Sequence, residues 1–324
     1  MNRVFTCGPA SEAAATLSLI ARRADALRLN IAHMTTEKLQ QWLDRLVELR
    51  RRENLGFRIV LDLQGAKVRI GRLPEVTHLP ETVELFYGEV SDVPGMIPVP
   101  TQSVFEKTEP GDCLLLNDRR VILRVTGRAG GRLQAAVEKN GPLSSGKGLN
   151  SPDRVFEMAR VTEHDASAIA MSKEIADLDY AVSFVADGSE SRLFRPLVGI
   201  SHRLIAKIEQ RAAFSHLAAI DAVFDEFWLC RGDLGAEAGL RKLGAWQADF
   251  VKALPGLKNP CLLAGEVLGS MVALPNPSRA EIVQLYDAIQ ARFAGFVLSD
   301  ETACGTQIAA VMQFIDYFFA DDQS

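Results

Sequence analysis

Residues 57–71 read FRIVLDLQGAKVRIG. The first six, Phe57–Asp62, are an apolar run of strand length ending on a carboxylate, as expected of a strand buried on both faces. Upstream, Arg3–Cys7 reads as a short strand, Gly8-Pro9 punctuates it, and an Ala-rich helix runs to about Arg23. Ala26–Asn30 is a second strand. Thr35 or Thr36 then caps a helix that carries Leu39, Trp42, Leu43, Leu46, Val47 and Leu49 at helical spacing. Strand–helix–strand alternation argues for a parallel sheet. Downstream the texture changes: Lys67–Pro152 holds 8 of the 14 prolines and 10 of the 24 glycines. Short β-type runs (Thr82–Tyr87, Cys113–Leu116, Val121–Thr126, Arg132–Val137) follow one another there, with no amphipathic helix expected between them.

Alternation resumes after Pro152. Thr162-Glu-His-Asp165 resembles a capping box opening a helix to about Asp177. Strands are expected at Tyr180–Val185, Leu204–Ile208, Phe227–Arg231, Pro260–Ala264 and Gly295–Ser299. The crossover Ser189–Gly199 is short for a barrel helix. A second capping box, Ser278-Arg-Ala-Glu281, starts a helix with Ile282, Leu285, Tyr286 and Ile289 on one face, and a last helix ends near Ala320. Three strands before the insert and five after it predict an α/β fold, a (β/α)8 TIM barrel with a small all-β domain inserted after the third strand. The barrel is assigned to residues 1–66 and 153–324, the insert to 67–152.

Composition agrees with a soluble globular enzyme: 324 residues, 48% apolar and 24% charged. A net charge of −5 without a basic cluster argues against nucleic acid. No apolar run is long enough to span a membrane. Five scattered cysteines read as reduced thiols, so a cytoplasmic location is expected.

Chemistry in such a barrel gathers at the C-terminal ends of the strands. Those ends carry Arg28 and Asn30, Asp62, Ser183, Lys207 and Glu209, Arg231 and Asp233, Glu266, and Ser299 with Glu301. The cations suit phosphate or enolate charge, and Glu209 with Asp233 are hard oxygen ligands suited to Mg²⁺ or Mn²⁺. Charged residues that merely end strands into solvent would read the same way.

Eight segments in order resemble the pyruvate kinase family: TCGPAS at Thr6–Ser11, LRLNIAH at Leu27–His33, LDLQGAKVRIG at Leu61–Gly71, GKGLNSP at Gly146–Pro152, IAKIEQ at Ile205–Gln210, CRGDLGAE at Cys230–Glu237, NPSRAE at Asn276–Glu281 and LSDETACG at Leu298–Gly305. The resemblance implies Mg²⁺-dependent phosphoryl transfer between phosphoenolpyruvate and ADP, with the insert acting as a lid. Lys207, Arg28, Arg69 and Lys67 would be catalytic. Gly232, Asp233, Gly265 and Ser183 would bind substrate, and Pro9, Asn30, His33, Asp118 and Lys147 the nucleotide. Glu209 and Asp233 would hold Mg²⁺ or Mn²⁺. Expected partners are a small phosphorylated or α-keto acid and ADP or ATP, with a homo-oligomer as an option.

The departures are specific. Ala32 stands where the family has Ser, Leu63 where it has Thr, and Lys67 where many members have Glu. A tethered ammonium can replace K⁺, so no K⁺ requirement is expected. Gly265-Glu266 replaces Thr-Gln, Asp300 replaces Gly and Gln64 replaces Lys. The family's C-terminal domain is expected to be absent. These changes leave open an enzyme repurposed for metal–enolate chemistry on another α-keto or phosphorylated acid, and a non-catalytic paralogue with a binding or regulatory role.

Overall fold

The computed structural model describes all residues except 66, 118, 153, 155, 157–160 and 321–324, and the side chains of 33 and 240. The expected Asp118 therefore lies outside the described residues, as does the His33 side chain. Contacts divide the chain into two compact units, residues 1–65, 161–231 and 245–324 in the first and 66–160 with 232–244 in the second.

The first unit begins with β1 (Asn2–Thr6), α1 (Ala14–Ala21), β2 (Ala26–Asn30), α2 (Thr36–Glu53) and β3 (Arg58–Asp62). Helix α2 starts where its sequence says: the Thr35 side chain accepts from the Lys38 amide, and Leu39, Trp42, Leu43, Leu46 and Leu49 are buried. The second unit contains β4 (Thr82–Tyr87), β5 (Met96–Val99), α3 (Gln102–Lys107), β6 (Cys113–Leu116), β7 (Val121–Ala129), β8 (Arg132–Lys139) and β9 (Leu149–Asn150). These strands form one six-stranded sheet in the order β5-β4-β8-β7-β6-β9. No amphipathic helix is expected between these strands, and the one that occurs, α3, is short. Its six residues are under two turns, too short for a periodic signal, yet they bury Ser103, Val104 and Phe105.

The chain then forms α4 (Glu163–Ser172), β10 (Leu178–Val182), α5 (Ser191–Val198), β11 (Leu204–Ile208), α6 (Leu217–Asp221), β12 (Glu226–Cys230), α7 (Arg231–Ala238), α8 (Leu240–Ala253), β13 (Cys261–Ala264), α9 (Arg279–Gln290), β14 (Gly295–Leu298), α10 (Asp300–Ala303) and α11 (Ile308–Phe318). Helix α4 stops five residues before the expected Asp177, which takes a left-handed φ of 53°. Most of α7 and the start of α8, residues 232–244, group with the second unit, although the sequence reading left them in the barrel. On α9 the capping box is as expected, but Leu285 and Ala288 are the buried residues. Ile282 and Tyr286 are exposed.

Eight parallel strands close into a barrel in the order β1-β14-β13-β12-β11-β10-β3-β2. One interior layer takes a residue from each: Val4, Ala26, Val60, Ala181, Ile205, Trp228, Leu262 and Val297. Side chains alternate along a strand, so the next inward layer lies two residues later. At the other end of the strands, the fully buried Asp179 is held by Arg58 and Arg203 at 2.5 and 2.9 Å. Burial alone would raise its carboxyl, but the two guanidinium groups bring it below the ordinary range. No helix among the described residues is long and apolar enough to cross a membrane.

Candidate active site

Two residues beyond that apolar layer, the eight strands present Thr6, Arg28, Asp62, Ser183, Lys207, Cys230, Ala264 and Ser299. Strand periodicity therefore places six polar side chains above the apolar layer at the C-terminal end of the barrel, while Cys230 and Ala264 continue the apolar cluster. Asp62 is its hub. The carboxylate accepts from Arg28 Nη2 at 2.5 Å and Arg28 Nε at 2.8 Å through one oxygen, and pairs with Lys207 Nζ at 2.9 Å through the other. Lys207 Nζ also lies 2.9 Å from Glu209 Oε1 and donates to Ser183 Oγ at 2.9 Å. The second Glu209 oxygen accepts from the Phe184 amide at 2.9 Å. Arg28 Nη1 donates to Thr6 Oγ1 at 2.8 Å, and the Thr6 hydroxyl donates to the Leu298 carbonyl at 2.7 Å.

Two cations and two carboxylates thus balance in a site from which water is largely excluded. Burial opposes the charges on Arg28, Asp62 and Lys207, and attraction from their partners wins. The Asp62 carboxyl is held below its ordinary range against burial by Lys207 and Arg28. Lys207 is raised, burial being outweighed by Asp62 and Glu209, so its ammonium stays charged. Burial and the Glu209 charge push the Cys230 thiol well up, which makes it a neutral wall of the site.

The sequence expectations divide accordingly. Arg28, Ser183, Lys207 and Glu209 meet in one cluster. The central position of Asp62 and the support from Thr6 were missed, although counting two residues from the buried strand centres would have found both. Pro9 opens a 3-10 turn after β1, and Asn30 Oδ1 caps its own turn by accepting from the Ala32 amide at 3.2 Å. Neither joins the cluster among the described residues. Gly265 follows β13 with φ +88°, and Glu266 has φ +50°. Arg231 fixes this turn by donating to the carbonyl oxygens of Gly265 and Glu266. A threonine at 265 would sit in a backbone region that L side chains rarely adopt.

Within the second unit, Lys67 pairs with Asp233 through Nζ and Oδ1. Arg69 Nη1 donates to the Gly146 carbonyl at 2.9 Å, and the Lys147 carbonyl accepts from the Ile70 amide at 2.9 Å. Gly232 and Asp233 lie in the first turn of α7, whose leading amides have no partner inside the helix. Among the described residues no group of three or more His, Cys, Asp or Glu is arranged to hold a metal ion.

The fold is shared with solved pyruvate kinases. That of Pyrobaculum aerophilum matches with a TM-score of 0.86 at 25% identity, covering 99% of this chain and 73% of the other. One from Cryptosporidium parvum matches at 0.84 and 21% identity, over 98% of this chain and 68% of the other, and is similar in fold. A curated relative named pyruvate kinase from Agrobacterium vitis is 33% identical over 308 residues, 93% of this chain. This chain spans only 65% of that relative's length. The family model described as pyruvate kinase, barrel domain, matches residues 1–310. With nearly its whole length inside that match and its buried cations on the strand ends, the chain belongs to the pyruvate kinase family.

Proposed function

We propose that the chain transfers a phosphoryl group between phosphoenolpyruvate and ADP. The observation that carries this reading is the buried Arg28–Asp62–Lys207–Glu209 cluster on the inner ends of the strands. Phosphoryl transfer asks a protein mainly for positioning and for cations aimed at developing negative charge. Lys207 and Arg28 supply two charges that are held in place before substrate arrives. Because Asp62 and Glu209 cancel them, the cluster alone has no surplus to attract a multiply charged anion.

A divalent ion fits that deficit. Glu209 and Asp233 offer hard carboxylate oxygens of the kind Mg²⁺ or Mn²⁺ prefers, an assignment resting on the sequence motifs and donor chemistry. Bound there, it would supply Lewis-acid stabilisation of phosphoryl and enolate oxygens. The Gly232 and Asp233 amides suit a substrate carboxylate. Arg69 and Lys147 are assigned to phosphate oxygens, Pro9, Asn30, His33 and Asp118 to the nucleotide side, and Lys67 to the tethered charge that removes a K⁺ requirement.

A second reading is favoured by the turn at Gly265. The family's threonine is replaced by a residue whose φ a threonine would resist, so acid handling differs here. Metal-assisted enolisation of another α-keto acid would use the same cluster. A coupled assay for pyruvate formation from phosphoenolpyruvate and ADP with Mg²⁺ tests the first reading. Turnover that Lys207→Met abolishes is the expected result. No turnover, together with Mn²⁺-dependent exchange of deuterium into an α-keto acid by NMR, establishes the second reading instead.

A further inference from the structure

Lys67 and Asp233 are 166 positions apart, yet they are ion-pair partners with side chains only 10% and 21% exposed. The slot holding the ammonium is fitted to it. A methyl group on Gly148 would come within 2.4 Å of Lys67 Cε and 3.1 Å of Nζ. The Gly148 backbone cannot easily retreat, since it bridges to Arg69 and its carbonyl accepts from the Asn117 amide at 3.1 Å. Glycine at 148 is therefore what lets the lysine stem lie where it does.

A carboxylate in contact with an ammonium has much of its charge neutralised, and a lone pair taken that a metal would use. We propose that Lys67 is an intramolecular competitor for the divalent ion at Asp233, so that the free protein takes up metal only when its own cation lets go. This rests on the reading of Asp233 as a metal carboxylate. It gives Lys67 a task distinct from replacing K⁺, and it makes metal uptake depend on moving a side chain.

The test is Mn²⁺ affinity of the full chain without substrate, read by calorimetry and by the electron paramagnetic resonance signal of free Mn²⁺. Circular dichroism establishes that each variant is folded. Lys67→Met should tighten binding about two- to fivefold, the size of a partly screened ion pair. Gly148→Ala keeps the charge but displaces the stem, and should also tighten it. Asp233→Asn should weaken it. Tightening in Lys67→Met without tightening in Gly148→Ala would make bulk charge the cause and overturn the proposal. No tightening in either, with Asp233→Asn still weakened, overturns the competitor alone and leaves the metal reading standing. An Asp233→Asn variant that binds like the wild type overturns both. Should Lys67→Met not fold, Gly148→Ala decides.

Discussion

Removing the Lys207 ammonium would take one cation from two buried carboxylates, leaving Asp62 with Arg28 and Glu209 with the Phe184 amide, their side chains 1% and 2% exposed. Loss of one partner from a buried ion pair costs about 3–5 kcal/mol. Lys207→Met should therefore lower urea-unfolding stability by about that amount at neutral pH, alongside any loss of turnover. A change below about 1 kcal/mol would mean the cluster is far more hydrated than its burial indicates. The pH dependence has a definite sign. Asp62 titrates lower in the fold than in the unfolded chain, so its contribution is complete above about pH 4 and is lost as pH falls through the folded value. The gap between wild type and variant should narrow on acidification. Lys207 and Glu209 were legible in IAKIEQ because both sit on one short motif. Counting along β3 finds Asp62 itself, but not its part as hub, because its partners arrive from β2, beside β3, and β11, two strands away on the other side, and no single motif holds all three.

At the scale of elements, α4 does more than cover the barrel. Asp165, third residue of the helix and fully buried, accepts from the Thr162 amide at 3.3 Å as the capping box requires. It also accepts from the Gln64 and Gly65 amides at 2.7 and 3.1 Å, where the chain leaves β3. Gly65 turns there with φ +63°, and a methyl on it would fall 2.7 Å from Ser183 Cβ. One carboxylate thus holds a helix start and a strand exit. Asp165→Ala should cost about 3 kcal/mol by leaving buried amides unpaired. Thr162→Ala, losing the cap alone, should cost about 1 kcal/mol. Equal losses in a denaturation series would show that the strand exit does not depend on Asp165. Both capping boxes were readable because they are contiguous in sequence. The buried face of α9 was not, since spacing selects a face and neighbours decide whether it is covered.

For the whole molecule, the barrel depends on a seam between its first and last strands, with Asn2 beside Gly295 and Phe5 beside Leu298. A methyl on Gly295 would lie 2.0 Å from the Asn2 carbonyl oxygen, which only a backbone shift could relieve. Gly295→Ala should therefore destabilise by about 1–3 kcal/mol. Limited proteolysis should then cut β1 first, and a variant as resistant as wild type would show that the seam yields without opening. Eight strands and an insert after the third were countable from the sequence, because every strand is an apolar run between turn residues. The grouping of residues 232–244 with the insert was not, because it follows from long-range partners such as Lys67 and Asp233. The seam also sets a clock on synthesis. β1 emerges from the ribosome early, and at roughly 5–20 residues per second its outer partner follows roughly 15–60 s later. Throughout that interval one edge of the nascent sheet is open to the wrong neighbour, so the yield of folded protein should depend on translation speed and on chaperones that shield that edge.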